Sequence, residues 1–168
     1  ALAVMEKLAP ALVQAATSDL LVARSSLREL QADGSPLVTE ELVAAIRACR
    51  ICEAHLPLGP RPVLQASATA RILIASQAPG VRVHETGIPW NDASGRRLRQ
   101  WLEMDDDTFY EPEKIAIVPM GFCYPGKTGS GDAPPRPECR ATWHPRLLPL
   151  LPDVRLTLLV GQYAQAYF

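Results

Sequence analysis

Four cysteines and one polar loop are the places in this 168-residue chain where chemistry could be done. The cysteines fall into two pairs, Cys49-x2-Cys52 and Cys123-x15-Cys139, with 70 residues between them. A CxxC at the end of a helix turns two thiolates toward one metal site, and two later cysteines flanking a Pro/Gly-rich loop can close it. Four thiolates suit either a cubane 4Fe-4S cluster or a structural zinc; four unconnected buried thiols are the plainer alternative. The polar loop carries His84, Glu85, Trp90, Asn91 and Asp92, after the turn Ser76-Gln77-Ala78-Pro79-Gly80. His84 is a candidate catalytic group, against the ordinary reading of a hydrogen-bonded loop histidine. A further signal, Gly121-Phe-Cys-Tyr-Pro-Gly-Lys127-Thr128, fits the phosphate-binding pattern GxxxxGK[ST] and follows an apolar run. The nine residues after it hold two glycines and three prolines, which argues against the helix that such a motif must open. A nucleotide hydrolase stays as an alternative on that signal alone.

These residues need elements to hold them. Ile72, Leu73, Ile74 and Ala75 form a short apolar run, the pattern of a strand buried on both faces. In an open parallel sheet, ligands bind just past the carboxyl end of such a strand. Lys114 to Met120 and Arg155 to Val160 read as a second and a third strand. Helices are expected from about Ser94 to Glu103, in part over Glu138 to Leu151 where Pro145 and Pro149 interrupt, and from Gln162 onward. Strand and helix alternate, which implies an α/β fold: a parallel sheet covered by helices through right-handed crossovers. Upstream, Thr39 reads as an N-cap, with Glu40 and Glu41 in the first turn of a helix that carries Leu42, Val43 and Ile46 toward Cys49. Residues 55–65 read as an ordered extended loop, Asp105-Asp106-Asp107 as a solvated turn, and Gly121 to Pro137 as a long loop. Apolar residues at three- and four-residue spacing over residues 1–32 suggest amphipathic helices, with a kink or break at Pro10. The chain therefore divides into an N-terminal helical extension, residues 1–38, and an α/β domain, residues 39–168.

Composition narrows the class. The chain is 48% hydrophobic and 21% charged, with net charge −1. That balance allows a local basic patch but no generally basic surface. No apolar run is long enough to span a bilayer, and no signal peptide is visible. The expectation is a cytoplasmic chain with no membrane partner, in which thiols act as ligands or core rather than disulfides.

Gln77-Ala-Pro-Gly80, Gly87-Ile-Pro-Trp90 and Ala93-Ser-Gly95 with Leu98 resemble the first motif of the iron–sulfur (family 4-like) uracil-DNA glycosylases. The cysteine spacing resembles theirs, and Arg61-Pro-Val-Leu64 stands where they carry an Arg-led strand. The resemblance covers roughly residues 42–168 and marks a divergent member of the uracil-DNA glycosylase superfamily. It implies a three-layer αβα sandwich with a central, mostly parallel sheet. It also implies a 4Fe-4S cluster on Cys49, Cys52, Cys123 and Cys139, with zinc as the alternative. The partner it implies is DNA containing uracil or another damaged base, bound by a monomer associated with the nucleoid. The reaction would flip the base out and hydrolyse its N-glycosidic bond, leaving an abasic site. In that scheme Trp90 stacks on the base in place of the family's Phe, with Asn91 beside it. The turn Gln77-Ala78-Pro79-Gly80 offers backbone amides to a base carbonyl and to the leaving anion.

The chain departs from the family at the reacting groups. Position 77 is Gln where the iron–sulfur enzymes carry Glu, and an amide can orient water but cannot act as a general base. Asp92 is the nearest carboxylate, able to activate water or steady an oxocarbenium-like sugar, or else to cap the helix at Ser94. The family's base-reading Asn falls on Pro119 and Met120. Arg96, Arg97 and Arg99 are offered to phosphates or to solvent. The family's His-Pro-Ser motif is expected in a C-terminal part beyond Phe168; His144-Pro145 precedes the third strand and does not take that role. A second reading keeps fold and cluster in a catalytically weak DNA-binding protein.

Overall fold

The computed structural model of the chain describes residues 37–129 and 131–168. The helices expected over residues 1–32 lie outside the described residues. In chain order the elements are α1 (Leu37–Arg47), β1 (Ile72–Ala75), α2 (Val81–Thr86), α3 (Ala93–Trp101), α4 (Asp106–Phe109), β2 (Ile115–Ile117), β3 (Lys127–Thr128), β4 (Gly131–Asp132), α5 (Pro137–Leu147), β5 (Leu156–Leu159) and α6 (Gln162–Gln165). Single 3-10 turns stand at Glu53–His55 and Leu148–Leu150.

The strand β1 is the middle of a parallel sheet in the order β2-β1-β5. Ile72 faces Ile115 on one side and Leu156 on the other. Side chains alternate across such a strand, and the core divides accordingly. Leu73 and Ala116 pack on Leu42, Val43 and Ile46 of α1 and on Trp143 and Leu147 of α5. Ile74, Ile115 and Ile117 turn to the other face, against Leu98 of α3 and Phe109 of α4. Helices therefore cover both faces of a parallel sheet, the α/β architecture expected from the alternation of strand and helix. Beyond β2 the sheet gains an antiparallel bridge between Gln65 and Ile117, which seats the end of the extended segment 55–65. Among the described residues no helix is long and apolar enough to cross a membrane.

Several local expectations are corrected. Thr39 is not an N-cap: α1 already runs at Leu37, and Thr39 is buried inside it. The polar loop after Gly80 contains a helix, α2, bracketed by Gly80 before it and by Gly87 after it with φ of +73°. Val83 and His84 bury one side of that short helix, which is why it forms in a stretch too short to show a helical period. Asp105-Asp106-Asp107 is more than a solvated turn. Asp105 accepts the Thr108 N–H at 2.7 Å and caps α4, while Asp106 pairs with Arg99 at 2.7 Å. Helix α5 runs through Pro145, which lies in its last turn, and gives way at the 3-10 turn holding Pro149. The phosphate-loop alternative fails on topology. Lys127 and Thr128 form a strand paired with Gly131 and Asp132, so no helix opens there to hold a phosphate.

Candidate active site

The parallel strands β1 and β5 end at one cavity of about 370 Å³. Beyond β1, the chain bends through Ser76 to Gly80 and is pinned by the backbone that follows β2. Met120 donates to Ser76 O at 2.8 Å, and Gly121 donates to Gln77 O at 3.0 Å. The N–H groups of Gln77, Ala78 and Gly80 have no backbone partner among the described residues. Pro79 has none to offer. These turn residues line the cavity together with Trp90, Asp92 and Ser94. Ile117, Pro119 and Val160 supply its apolar floor.

Trp90 is fixed by its backbone. It has a φ of +56°, a left-handed conformation that costs a bulky residue free energy and persists only when its surroundings impose it. Three contacts impose it. Arg99 Nη1 donates to Trp90 O at 3.3 Å. Gly95 lets the first turn of α3 press against the same carbonyl: a Cβ at Gly95 would stand 1.7 Å from Trp90 O. Asp92 caps α3, its Oδ1 accepting the Gly95 N–H at 2.8 Å. Arg99 is buried, not turned to phosphate or solvent as its sequence neighbours are. It is held by Asp106 and by Tyr110 Oη at 3.1 Å, with its guanidinium 5.2 Å from the Phe109 ring centre. Only its exact register in α3 separates it from the exposed Arg96 and Arg97, so the sequence carried no signal for this role beyond helical spacing.

The structure thus brings Gln77, Ala78, Pro79, Gly80, Trp90 and Asp92 to one cavity. It leaves two sequence candidates outside. His84 is buried in α2, its ring 6.2 Å from that of Tyr124 and its Nδ1 without a partner among the described residues. Burial first, and then the Arg61 charge, push its pKa down, while Glu85 opposes them. Asn91 lines a second, larger cavity of about 970 Å³, between the start of α1 and the segment Gly87 to Pro89. That cavity touches neither the strand-end turn nor Trp90, and a strand's carboxyl end is the stronger reason to place chemistry. His144 is wholly buried, and its Nε2 lies 3.0 Å from Pro119 O, so it steadies the cavity floor from behind. Asp132, which carried no motif, also lines the active-site cavity, delivered by the β3–β4 hairpin.

The four cysteines are free thiols, and three are buried. Cys139 lies within electrostatic reach of Cys49, Cys52 and Cys123, so the two sequence pairs meet in space. Burial pushes Cys123 up to about 11 and Cys139 up to about 12. N–H groups next to the sulfurs oppose that effect. The Trp143 indole donates to Cys49 Sγ at 3.4 Å, and the Arg136 guanidinium serves Cys52. The backbone amides of Arg61 and Phe122 serve Cys123 and Cys139. Such N–H groups favour thiolates, and a cationic centre among the sulfurs would reverse the cost of burial. Among the described residues no three His, Cys, Asp or Glu side chains are drawn closely enough to grip a single ion.

A model of the Uracil DNA glycosylase superfamily matches residues 64–168. The match takes in the strand-end turn, Trp90, Asp92, Cys123 and Cys139, and leaves out Cys49 and Cys52.

Proposed function

This chain belongs to the uracil-DNA glycosylase superfamily, and from that premise we propose that it hydrolyses the N-glycosidic bond of a flipped-out uracil or related deaminated base in DNA, leaving an abasic site. The observation that carries the reading is the turn of unpaired amides at the end of β1, with the pre-set Trp90 lining the same cavity. A flipped base needs a stacking wall, worth about 1–3 kcal/mol per base, and Trp90 supplies one without having to be ordered on binding. As the bond to the sugar breaks, negative charge develops on the base. The turn that lines the cavity carries N–H groups that no backbone carbonyl takes up, and a donor placed on the developing charge is worth roughly a hundredfold or more in rate. Positive charge develops on the sugar, where a carboxylate helps. Asp92 is the candidate: one oxygen is held by the α3 cap, and the other is left to steady the oxocarbenium or to orient the attacking water. Gln77 assists by orienting, not by taking a proton.

The iron–sulfur reading is part of the proposal. Cys49, Cys52, Cys123 and Cys139 would hold a 4Fe-4S cluster. Its contribution would be structural, tying the CxxC turn to the loop that leaves β2 and to α5. Support comes from the spacing of the four cysteines, from Cys52 packing with Cys123 in one hydrophobic cluster and Cys49 against the hydrophobic cluster of Cys139, and from the Trp143 indole N–H on Cys49 Sγ.

The test is an oligonucleotide with one uracil, incubated with purified protein and then treated with alkali to reveal abasic sites. Strand breaks at the uracil, lost on Trp90→Ala, are expected. A second reading, a DNA-binding protein of weak catalysis, is favoured by the commitment of Asp92 Oδ1 to the helix cap. Binding of uracil-containing DNA without abasic sites would establish it and end the enzyme reading.

A further inference from the structure

Asp132 stands apart from the groups that the fold uses up. The ion pairs among the described residues are Arg50–Glu53, Arg99–Asp106 and Arg136–Glu138, and Asp132 is in none of them. Lys127 faces it across the hairpin without pairing with it. Yet it lines the active-site cavity. A Cβ at Gly80 would stand 3.6 Å from Asp132 Oδ2, an ordinary van der Waals contact, so the carboxylate lies beside the strand-end turn. Pro119 has no polar side chain, its carbonyl is engaged by His144, and Asp92 Oδ1 is engaged by Gly95.

We propose that Asp132 is a specificity-determining residue that reads the edge of the flipped base by accepting a hydrogen bond from a ring N–H, and that it turns the site toward hypoxanthine, the deaminated purine, over uracil. The proposal rests on the reading that this cavity takes a flipped base. A carboxylate only accepts. Uracil presents its N3–H between two carbonyl oxygens, so a carboxylate drawn to that proton meets repulsion on both sides. Hypoxanthine presents its N1–H with a carbonyl on one side and a C–H on the other, so a carboxylate can approach from the C–H side. An amide in place of the carboxylate would accept from N3–H and donate to O4, which suits uracil. Asp132 is exposed; once a base covers it, discrimination by one such hydrogen-bonding group is on the order of tenfold or more. Because Asp132 sits on an exposed hairpin, its substitution leaves the core untouched.

The experiment compares single-turnover excision of hypoxanthine and of uracil from otherwise identical oligonucleotides, by the wild-type protein and by Asp132→Asn. The wild type is expected to prefer hypoxanthine, and the ratio of the two rates should fall about tenfold in Asp132→Asn. A wild-type preference for uracil, or a variant in which both rates fall together, would overturn the proposal. Affinities for duplexes carrying 2′-fluoroarabino analogues of the two nucleotides, which resist cleavage, are measured in parallel. If the wild type cleaves neither base, the enzyme reading has failed. Asp132 is then judged on binding: a hypoxanthine preference abolished by Asp132→Asn supports its role, and equal affinities refute it.

Discussion

Gly95→Ala is the sharpest perturbation of the candidate site, because it adds one methyl group that touches no ligand. The new Cβ would lie 1.7 Å from Trp90 O and 2.9 Å from Trp90 Cβ, where contacts under 3.0 Å essentially do not occur. The 90–92 segment and the first turn of α3 must part by at least the difference, 1.3 Å. That movement cannot leave both the 2.8 Å Asp92 cap and the 3.3 Å Arg99 bond intact. Overpacking of this kind costs about 1–3 kcal/mol, and a lost cap adds about 1 kcal/mol. In an open helix the same substitution would instead stabilise by about 1 kcal/mol, so the sign of the change in stability decides whether the close approach is real. Displacing an aligned group by 1 Å can cost on the order of a hundredfold in rate. The assay is single-turnover excision from a damaged-base oligonucleotide, beside a thermal melt of the same preparation. The expected outcome is a loss near a hundredfold with a lowered Tm. Excision within threefold of wild type, with Tm unchanged or raised, would refute the claim that α3 sets Trp90.

Asp92 can be split into its two duties. Asp92→Asn keeps an oxygen for the Gly95 N–H, so Tm should hold while excision falls by about 10²–10⁴-fold; Asp92→Ala should lose about 1 kcal/mol of stability as well. An Asn variant as active as wild type would leave Asp92 a cap and nothing more. Protein purified without oxygen should be brown, with about four irons per chain and broad visible absorbance that Cys123→Ser removes. A colourless protein with stoichiometric zinc would sink the cluster. Acid should weaken the fold through its two buried histidines, both held below their usual 6.5 first of all by burial. Below that value the unfolded chain binds protons that the folded chain refuses, so stability is full above about pH 6.5 and falls as pH drops toward the folded values. Urea midpoints that stay flat from about pH 7.5 to 5.5 would contradict this.

The fold was legible wherever many residues agree. The ILIA run of β1 could only be a doubly buried strand, and the alternation of strand and helix left few topologies. The cavity was legible for the same reason, since a Gly/Pro turn at a strand's end announces its place. Short elements were not legible. Helix α2 spans six residues and the β3–β4 hairpin two residues a side, too few for a hydrophobic period to emerge. What stabilises α2 is tertiary, the burial of Val83 and His84.

The reacting groups were least legible, and the reason is chemical. A carboxylate's role depends on what its two oxygens meet. Asp92 and Asp105 look alike in sequence, each opening a helix, and each accepts a backbone N–H of its helix on one oxygen. Asp92 differs only because its cap lies beside Trp90 and the end of β1. Asp132 shows no pattern at all and reaches the cavity by way of a two-residue strand. If the cysteine centre does hold the 121–139 segment in place, then losing it should release Asp132 from the cavity while β1, α3 and Trp90 stay set. Metal loss would then alter which base is excised before it abolishes excision. Measuring the hypoxanthine-to-uracil ratio as the metal is stripped tests that order. A ratio that stays constant while both rates decline together would show that the centre supports the whole fold and not this one loop.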